Sequence, residues 1–314
     1  GLEGGELYAY EMVSGSNVDL PDLAVDREGR AWSFENDLCP WYDIFLCIST
    51  HSATAPLTAW ALKYGFRGAT LHGINQIILQ SGLAVDPDQV SQEAEELRQA
   101  MTGADRFELS FEVNNATYEL TVECGGKEAK KAEGLCRGTE PDVANLPGGE
   151  VYYIPETAEG RFPFLVEEDG TLLEMQVSDG AVRSCALING DEAWVEHFNR
   201  KFQDDPATGV LGELGFGTQL LPVSGQDIQD EKNLGTFHLA TGRCDHLGGD
   251  LGPEKFKSRA NAAHEDILYG PSTTPQFLCP KVTMVRNGER IDVLQHYKPT
   301  AYLQERSSAA EKFG

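Results

Sequence analysis

Basic residues are scarce in this chain of 314. Lys and Arg number 25 against 50 Asp and Glu, a formal net charge of −25. Such a surface repels phosphate backbones and anionic lipid heads, which disfavours nucleic-acid and membrane partners. Long apolar runs are missing too: none approaches 18 residues, and no signal-peptide pattern opens the chain. Cysteine forms no framework. Cys39, Cys47, Cys124, Cys136, Cys185, Cys244 and Cys279 are odd in number and contain no C-x-x-C pair. Reduced thiols in a cytoplasm are therefore expected, rather than a zinc ribbon or disulfides. The first residue is Gly rather than Met, so part of the first domain is expected to lie upstream. Histidine is also rare, at seven in all. A histidine standing among acids is then worth following.

What is present describes an ordinary globular chain, with 40% hydrophobic and 24% charged residues and length enough for two domains. The first hundred residues alternate between strand and helix patterns. GELYAYEMV reads as a strand, and WYDIFLCIS as a second, apolar enough to be buried on both faces of a parallel sheet. THSATAPLTAWALKYG reads as a helix capped by Ser and Thr and stopped at Gly65. FRGATLHG is a strand, INQIILQSG a short helix, and DPDQVSQEAEELRQAMTG an amphipathic helix opened by Asp-Pro and closed at Gly103. This alternation predicts an open, mainly parallel α/β domain over residues 1–104. Beyond it, over 105–314, hairpin signals dominate: NN between RFELSFEV and ATYELTVE, two D-G turns, and N-G near the end. DEAWVEHFNRKF is an inserted helix, and SSAAEKFG reads as a frayed tail.

The stretch NAAHEDILYG sets His264 and Asp266 two positions apart, on one face of a strand. Three Gly-rich, apolar-flanked stretches precede it, each with one potential ligand: Glu150 in NLPGGEVYYIP, Glu213 in LGELGFGTQ and His238 in NLGTFHLATG. A carboxylate between glycines and hydrophobic residues is expected to be buried, and a divalent metal compensates that burial. Three carboxylates and two imidazoles suffice for two metal ions with a bridging carboxylate. Nitrogen and oxygen donors suit zinc, cobalt, manganese or iron.

NLPGGE, GELGFGT, DEKNLGTFHLATG and the later H-x-D resemble, in order and interval, the aminopeptidase T family of metallo-aminopeptidases. HSATAPLTAWALKYGFRGATLHGI is similar to that family's first domain, and the likeness runs over roughly residues 40 to 300. It implies a Rossmann-like, doubly wound first domain, a β-rich metal-binding second domain, and a homodimer. Carried across, Glu150, Glu213, His238, His264 and Asp266 would ligate two adjacent ions. The family's Tyr seven residues after the first His falls here on Asp245, and the chain is shorter than those enzymes, mostly in the first domain.

The expected activity is hydrolysis of an amide or peptide bond in a small substrate, by two ions of zinc, cobalt or manganese. Glu150 or Glu213 would take the proton from water, and Asp245 or Asp250 would receive a free amine. Two further readings compete. The related dihydroxypyridine ring-cleaving dioxygenases use one iron, for which His238, His264 and Asp266 supply two His and a carboxylate. A non-catalytic binding protein of the same fold is the third. Other residues read more plainly: His246 as a solvated loop residue, His51 as part of a helix cap, and His72, His197 and His296 as structural. Cys244 lies near the site with no base beside it. Arg243 and Lys255 are candidates for a substrate carboxylate or simple surface charge.

Overall fold

A short hairpin, β1 (Leu23–Val25) and β2 (Ala31–Ser33), comes first in the computed structural model, which describes residues 4–11, 13–138 and 140–313. GELYAYEMV does not form the expected strand. It makes one bridge, Ala9 to Val25, and Met12 within it lies outside the described residues. Aromatic contacts hold it instead, Tyr8 against Trp32 and Tyr42, and Tyr10 against Phe34.

The βαβ signals are realised over the next sixty residues. β3 (Ile44–Ser49), α1 (Thr54–Tyr64) and β4 (Arg67–His72) make a parallel pair with its crossover helix. α1 ends as Gly65 turns left-handed at φ 84°, which costs a glycine little. Its first turn is capped from far away: Asn17 Oδ1 accepts from the Ala55 N–H at 2.8 Å, while Ser52 Oγ reaches the Thr54 N–H only at 3.4 Å. α2 (Gln76–Gln80) and α3 (Pro87–Met101) follow, and Asp86 caps α3 through the Asp88 N–H. The sheet is not covered on both faces as the apolar β3 sequence suggests. Leu46 and Ile48 stand 69% and 66% exposed.

Past residue 104 the chain is dominated by antiparallel strands. β5 (Ala104–Val113) and β6 (Ala116–Lys127) turn on Asn114 and Asn115, both at positive φ as a two-residue hairpin requires. β7 (Lys130–Ala132), β8 (Asp142–Asn145) and β9 (Glu150–Tyr153) are short. β10 (Thr157–Val166), β11 (Thr171–Ser178) and β12 (Ala181–Asn189) form the meander, followed by α4 (Ala193–Asp204). Then come β13 (Leu211–Gly217), α5 (Asp227–Asp230), β14 (Phe237–Gly242), β15 (His264–Tyr269), β16 (Leu278–Arg286), β17 (Glu289–Gln295) and β18 (Lys298–Pro299).

These strands build a mixed α/β architecture in which sheet predominates. An eight-stranded sheet runs β12-β11-β10-β6-β5-β16-β17-β18, and a five-stranded one β15-β14-β13-β9-β7. Their facing sides share one core, in which Phe107 and Phe111 of β5 meet Phe216, Phe237 and Tyr269. The parallel sheet is completed by β8, in the order β3-β4-β8. The chain thus serves both bodies from either side of residue 104. α3 gives Leu97, Ala100 and Met101 to the large core, while β8 returns to β4. The tail is packed rather than frayed: Ala309 and Ala310 are buried, and the Ser308 N–H donates to Glu96 at 2.7 Å.

Candidate metal centre

One face of the five-stranded sheet alternates large polar side chains with glycine and alanine. Across the ladders Glu150 stands opposite Gly217, His238 opposite Gly215, His264 opposite Gly242, and both Glu213 and Asp266 opposite Ala240. Each ligand candidate leans over a neighbour that has almost no side chain, which is what lets five of them converge. Gly215 shows how tight the fit is. A Cβ there would lie 2.1 Å from His238 Cε1 and 2.3 Å from its Nε2. The glycines that flank the candidates in sequence are therefore the floor beneath them in space.

Glu213 lies at the middle. Its Oε1 is 3.4 Å from His238 Nε2, and its Oε2 is 3.1 Å from His264 Nε2. Asp266 Oδ1 is 3.2 Å from the same His264 nitrogen, and Glu150 Oε2 is 3.8 Å from His238 Nε2. Two donor groups result, Glu150–Glu213–His238 and Glu213–His264–Asp266, each with ligand atoms within 4.8 Å of one another, sharing Glu213. Glu150, Glu213, His238 and His264 are buried, whereas the Asp266 side chain is 24% exposed. His264 Nδ1 lies 2.6 Å from the Arg243 carbonyl, which fixes that nitrogen as the donor and leaves Nε2 to face the carboxylates.

Sequence reasoning passed over two residues of this centre, although it quoted the motif that holds them. Lys232 is wholly buried, its ammonium 2.7 Å from Glu150 Oε2 and bonded to Glu231. Glu231 joins His238 and Asp266 in a third group of possible ligands. The available signal was an acid–lysine pair directly before Asn-Leu-Gly. Charge of both signs there is unlike a solvated face once the flanking Ile228 and Leu234 are seen as core.

Charge counting makes the centre's demand plain. Glu150, Glu213, Glu231 and Asp266 bring four carboxyls to the centre, and among the described residues only Lys232 brings a fixed cation, held by Glu150 and Glu231. Burial would push the Glu213 carboxyl up, but hydrogen bonds from His238 and His264 outweigh it and hold it well below the usual range. Burial works to lower His238 as well. Glu213 overcomes that and raises the imidazole to about 9, and Asp266 with Glu213 likewise holds His264 well above its ordinary value against burial. Burial raises the Glu231 carboxyl to about 8, with the Glu150 charge adding to it. Without an ion the two imidazoles thus take up protons as the compensating charge. The donor set of imidazoles and carboxylates suits divalent zinc, cobalt, manganese or iron, and either pair could hold one.

The remaining candidates divide. A cavity of about 320 Å³ opens between the centre and the carboxyl ends of β4 and β8, touching Thr54, His72, Asn145, Glu150, Glu213 and Asp266 among others. His72 and His246, read as structural and solvated, both line it. Each is buried at the ring, and neither Nδ1 has a hydrogen-bond partner among the described residues, the nearest charge to that of His246 being Asp245 Oδ1 at 3.7 Å. The His246 ring stands edge-on to His264 at 5.1 Å. Asp245 is placed apart from the five. Arg243 grips its carboxylate through Nε at 2.7 Å and Nη2 at 3.1 Å. Arg243 also holds Asp19 and the Asn17 carbonyl, and it is buried and does not line the cavity. Asp250, Lys255, His197 and His296 are exposed and do not line the cavity. His51 offers its carbonyl to Ser49 instead of capping α1. Cys244 is buried, and burial pushes its thiol up, away from reactivity. No helix among the described residues is long and apolar enough to cross a membrane. No protein-family model matches the chain and no curated protein matches it, so the functional reading stands on the geometry of Glu213 between two histidines.

Proposed function

We propose that the chain is a metal-dependent hydrolase of an amide or peptide bond in a small substrate, with two divalent ions sharing Glu213. The observation that carries this is the disposition of Glu213, one oxygen toward each histidine and one flanking carboxylate on either side. Bound ions of this kind lower the pKa of a coordinated water and polarise a carbonyl. The protein's own groups supply the rest. Glu150, held by Lys232, is the carboxylate positioned to accept a proton from the attacking water. Glu231, buried on the cavity lining beside the centre, is the second carboxyl placed to hand a proton to the leaving nitrogen. The acidic cavity, with Asp142 and Asp266 on its lining, suits a substrate with a free amine. His246 and His72 offer hydrogen bonds across the substrate from the centre. Cytoplasmic residence as a homodimer, with a Rossmann-like first domain, belongs to the same reading.

The test pairs metal content with turnover. The ion-free chain should be inert toward aminoacyl anilides and gain activity with zinc, cobalt or manganese. Glu213→Gln should lose most of its bound metal and at least about 100-fold in kcat/KM, as removal of a bridging charge implies. Retention of both by Glu213→Gln would overturn the proposal.

A second reading has one observation in its favour. Lys232 already places a cation against Glu150, which lessens the need for a metal at that end. His238, His264 and Asp266 could then hold a single iron, as in ring-cleaving dioxygenases. One iron per chain, with oxygen consumed on a dihydroxylated ring, would favour it over the hydrolase.

A further inference from the structure

We propose that Lys232 makes the two ion sites unequal: its ammonium competes with a cation for Glu150, so the Glu213–His264–Asp266 site fills first and the Glu150–Glu213–His238 site is weak and exchangeable. The inference rests on the two-ion reading above and concerns which residue sets the order of filling.

Lys232 is held where it cannot yield easily. Its side chain is 0% exposed, and the carboxylates of Glu150 and Glu231 are its salt-bridge partners. The backbone beneath it is fixed at both ends, its N–H donating to the Gln229 carbonyl at 3.0 Å and its carbonyl accepting from the Gln219 N–H at 2.8 Å. Gly217 permits this approach. A Cβ at that position would lie 2.2 Å from the Asn233 carbonyl oxygen and 2.5 Å from the Lys232 carbonyl carbon. The segment 232–233 therefore presses against β13, directly beside the Glu150 that pairs with Gly217. A swing of the ammonium toward water is closed off by complete burial.

The consequence for an ion follows from Coulomb's law. A cation at Glu150 must share the carboxylate with an ammonium that already holds Oε2 at 2.7 Å, and feels its repulsion in a poorly solvated setting. Among the described residues no lysine or arginine bonds Glu213, His264 or Asp266, whose hydrogen-bonding and ion-pair partners at that end are one another and the Arg243 carbonyl. Asp266 is also the most open ligand of the set, which gives an arriving ion its way in.

The experiment titrates zinc into the ion-free, full-length chain against a chromophoric chelator and counts sites and affinities. The native chain should bind one zinc tightly and a second at least about tenfold more weakly. Lys232→Met should tighten the second constant by at least about tenfold, while Lys232→Arg keeps the sites unequal. Because Lys232→Met leaves the buried carboxyl groups of Glu150 and Glu231 without their partner, Glu231→Gln with Lys232→Met serves as the second variant and must show the same tightening. Two equal constants in the native chain would overturn the proposal, as would a second constant unmoved or weakened in whichever lysine-free variant folds. A single site that stays single without the lysine overturns it too and leaves the one-iron reading standing. Failure of the native chain to bind any divalent ion would instead remove the metal reading itself.

Discussion

At the scale of single residues, the centre is a set of charges that must be balanced by something. In the ion-free chain that something is protons. His238 is raised from an ordinary value near 6.5 to about 9, so its contribution to stability is fully present below pH 6.5 and fades as pH climbs through 9. Glu231, raised to about 8, binds a proton in the folded chain that the unfolded chain has already released, and it pulls stability down over pH 4.5 to 8. Both effects have the same sign. The ion-free protein is expected to lose stability between pH 6.5 and 9, on the order of 3 kcal/mol from His238 alone. Urea unfolding after chelation measures it. Saturating zinc should flatten the slope, because a bound ion takes over the role of the protons. A stability that rises over this range would show that the imidazoles are neutral without metal.

At the scale of elements, the site depends on strands whose ladder places small residues under large ones. Gly215→Ala puts a methyl where the His238 ring lies, 2.1 Å from its nearest carbon. β13 is buried throughout and paired on both sides, so the strand cannot easily move aside. The ring must tilt instead. Zinc binding by Gly215→Ala is expected to fall at least about tenfold, with the unfolding midpoint in urea shifted far less; a variant that binds zinc as well as the native chain would show that His238 is not a ligand. This dependence was partly legible in the sequence. Glycines flanking Glu150, Glu213 and His238 announced close packing, the two-position spacing singled out His264 and Asp266, and these five do converge. Which glycine faces which ligand was not legible, because register is set by pairing between strands far apart in the chain. Lys232 stayed hidden for a related reason. Its backbone is pressed against Gly217 and Gln219 at the end of β13, a contact the sequence does not show, and the local sequence of charged residues reads as surface.

At the scale of the whole molecule, the alternation of strand and helix up to residue 104 and the hairpins after it were readable from turn chemistry and hydrophobic period. The cap of α1 was not, since Asn17 is supplied from outside the helix pattern. Nor was the return of β8 to β4, because a four-residue strand carries too little pattern to be noticed. Net charge is a property of the same scale. At −25, mutual repulsion acts against the folded state over distances that salt controls. Raising salt from about 0.01 M to about 1 M shortens the screening length from about 30 Å to about 3 Å. The thermal midpoint is expected to climb by several degrees in scanning calorimetry over that range, and a fall would mean that attractive pairs outweigh the excess.

The cavity has walls of different origin. Glu150, Glu213, His238, His264 and Asp266 come from the five-stranded sheet, whereas His72 and Asn145 come from the parallel sheet and Thr54 from its crossover helix α1. On the hydrolase proposed above, reactivity and selectivity would be written on separate pieces of chain. Changes at Thr54, Thr58 or Asn145 can retune what is admitted while the reacting groups stay as they are, which makes that wall the natural starting point for redirecting the protein toward a new molecule.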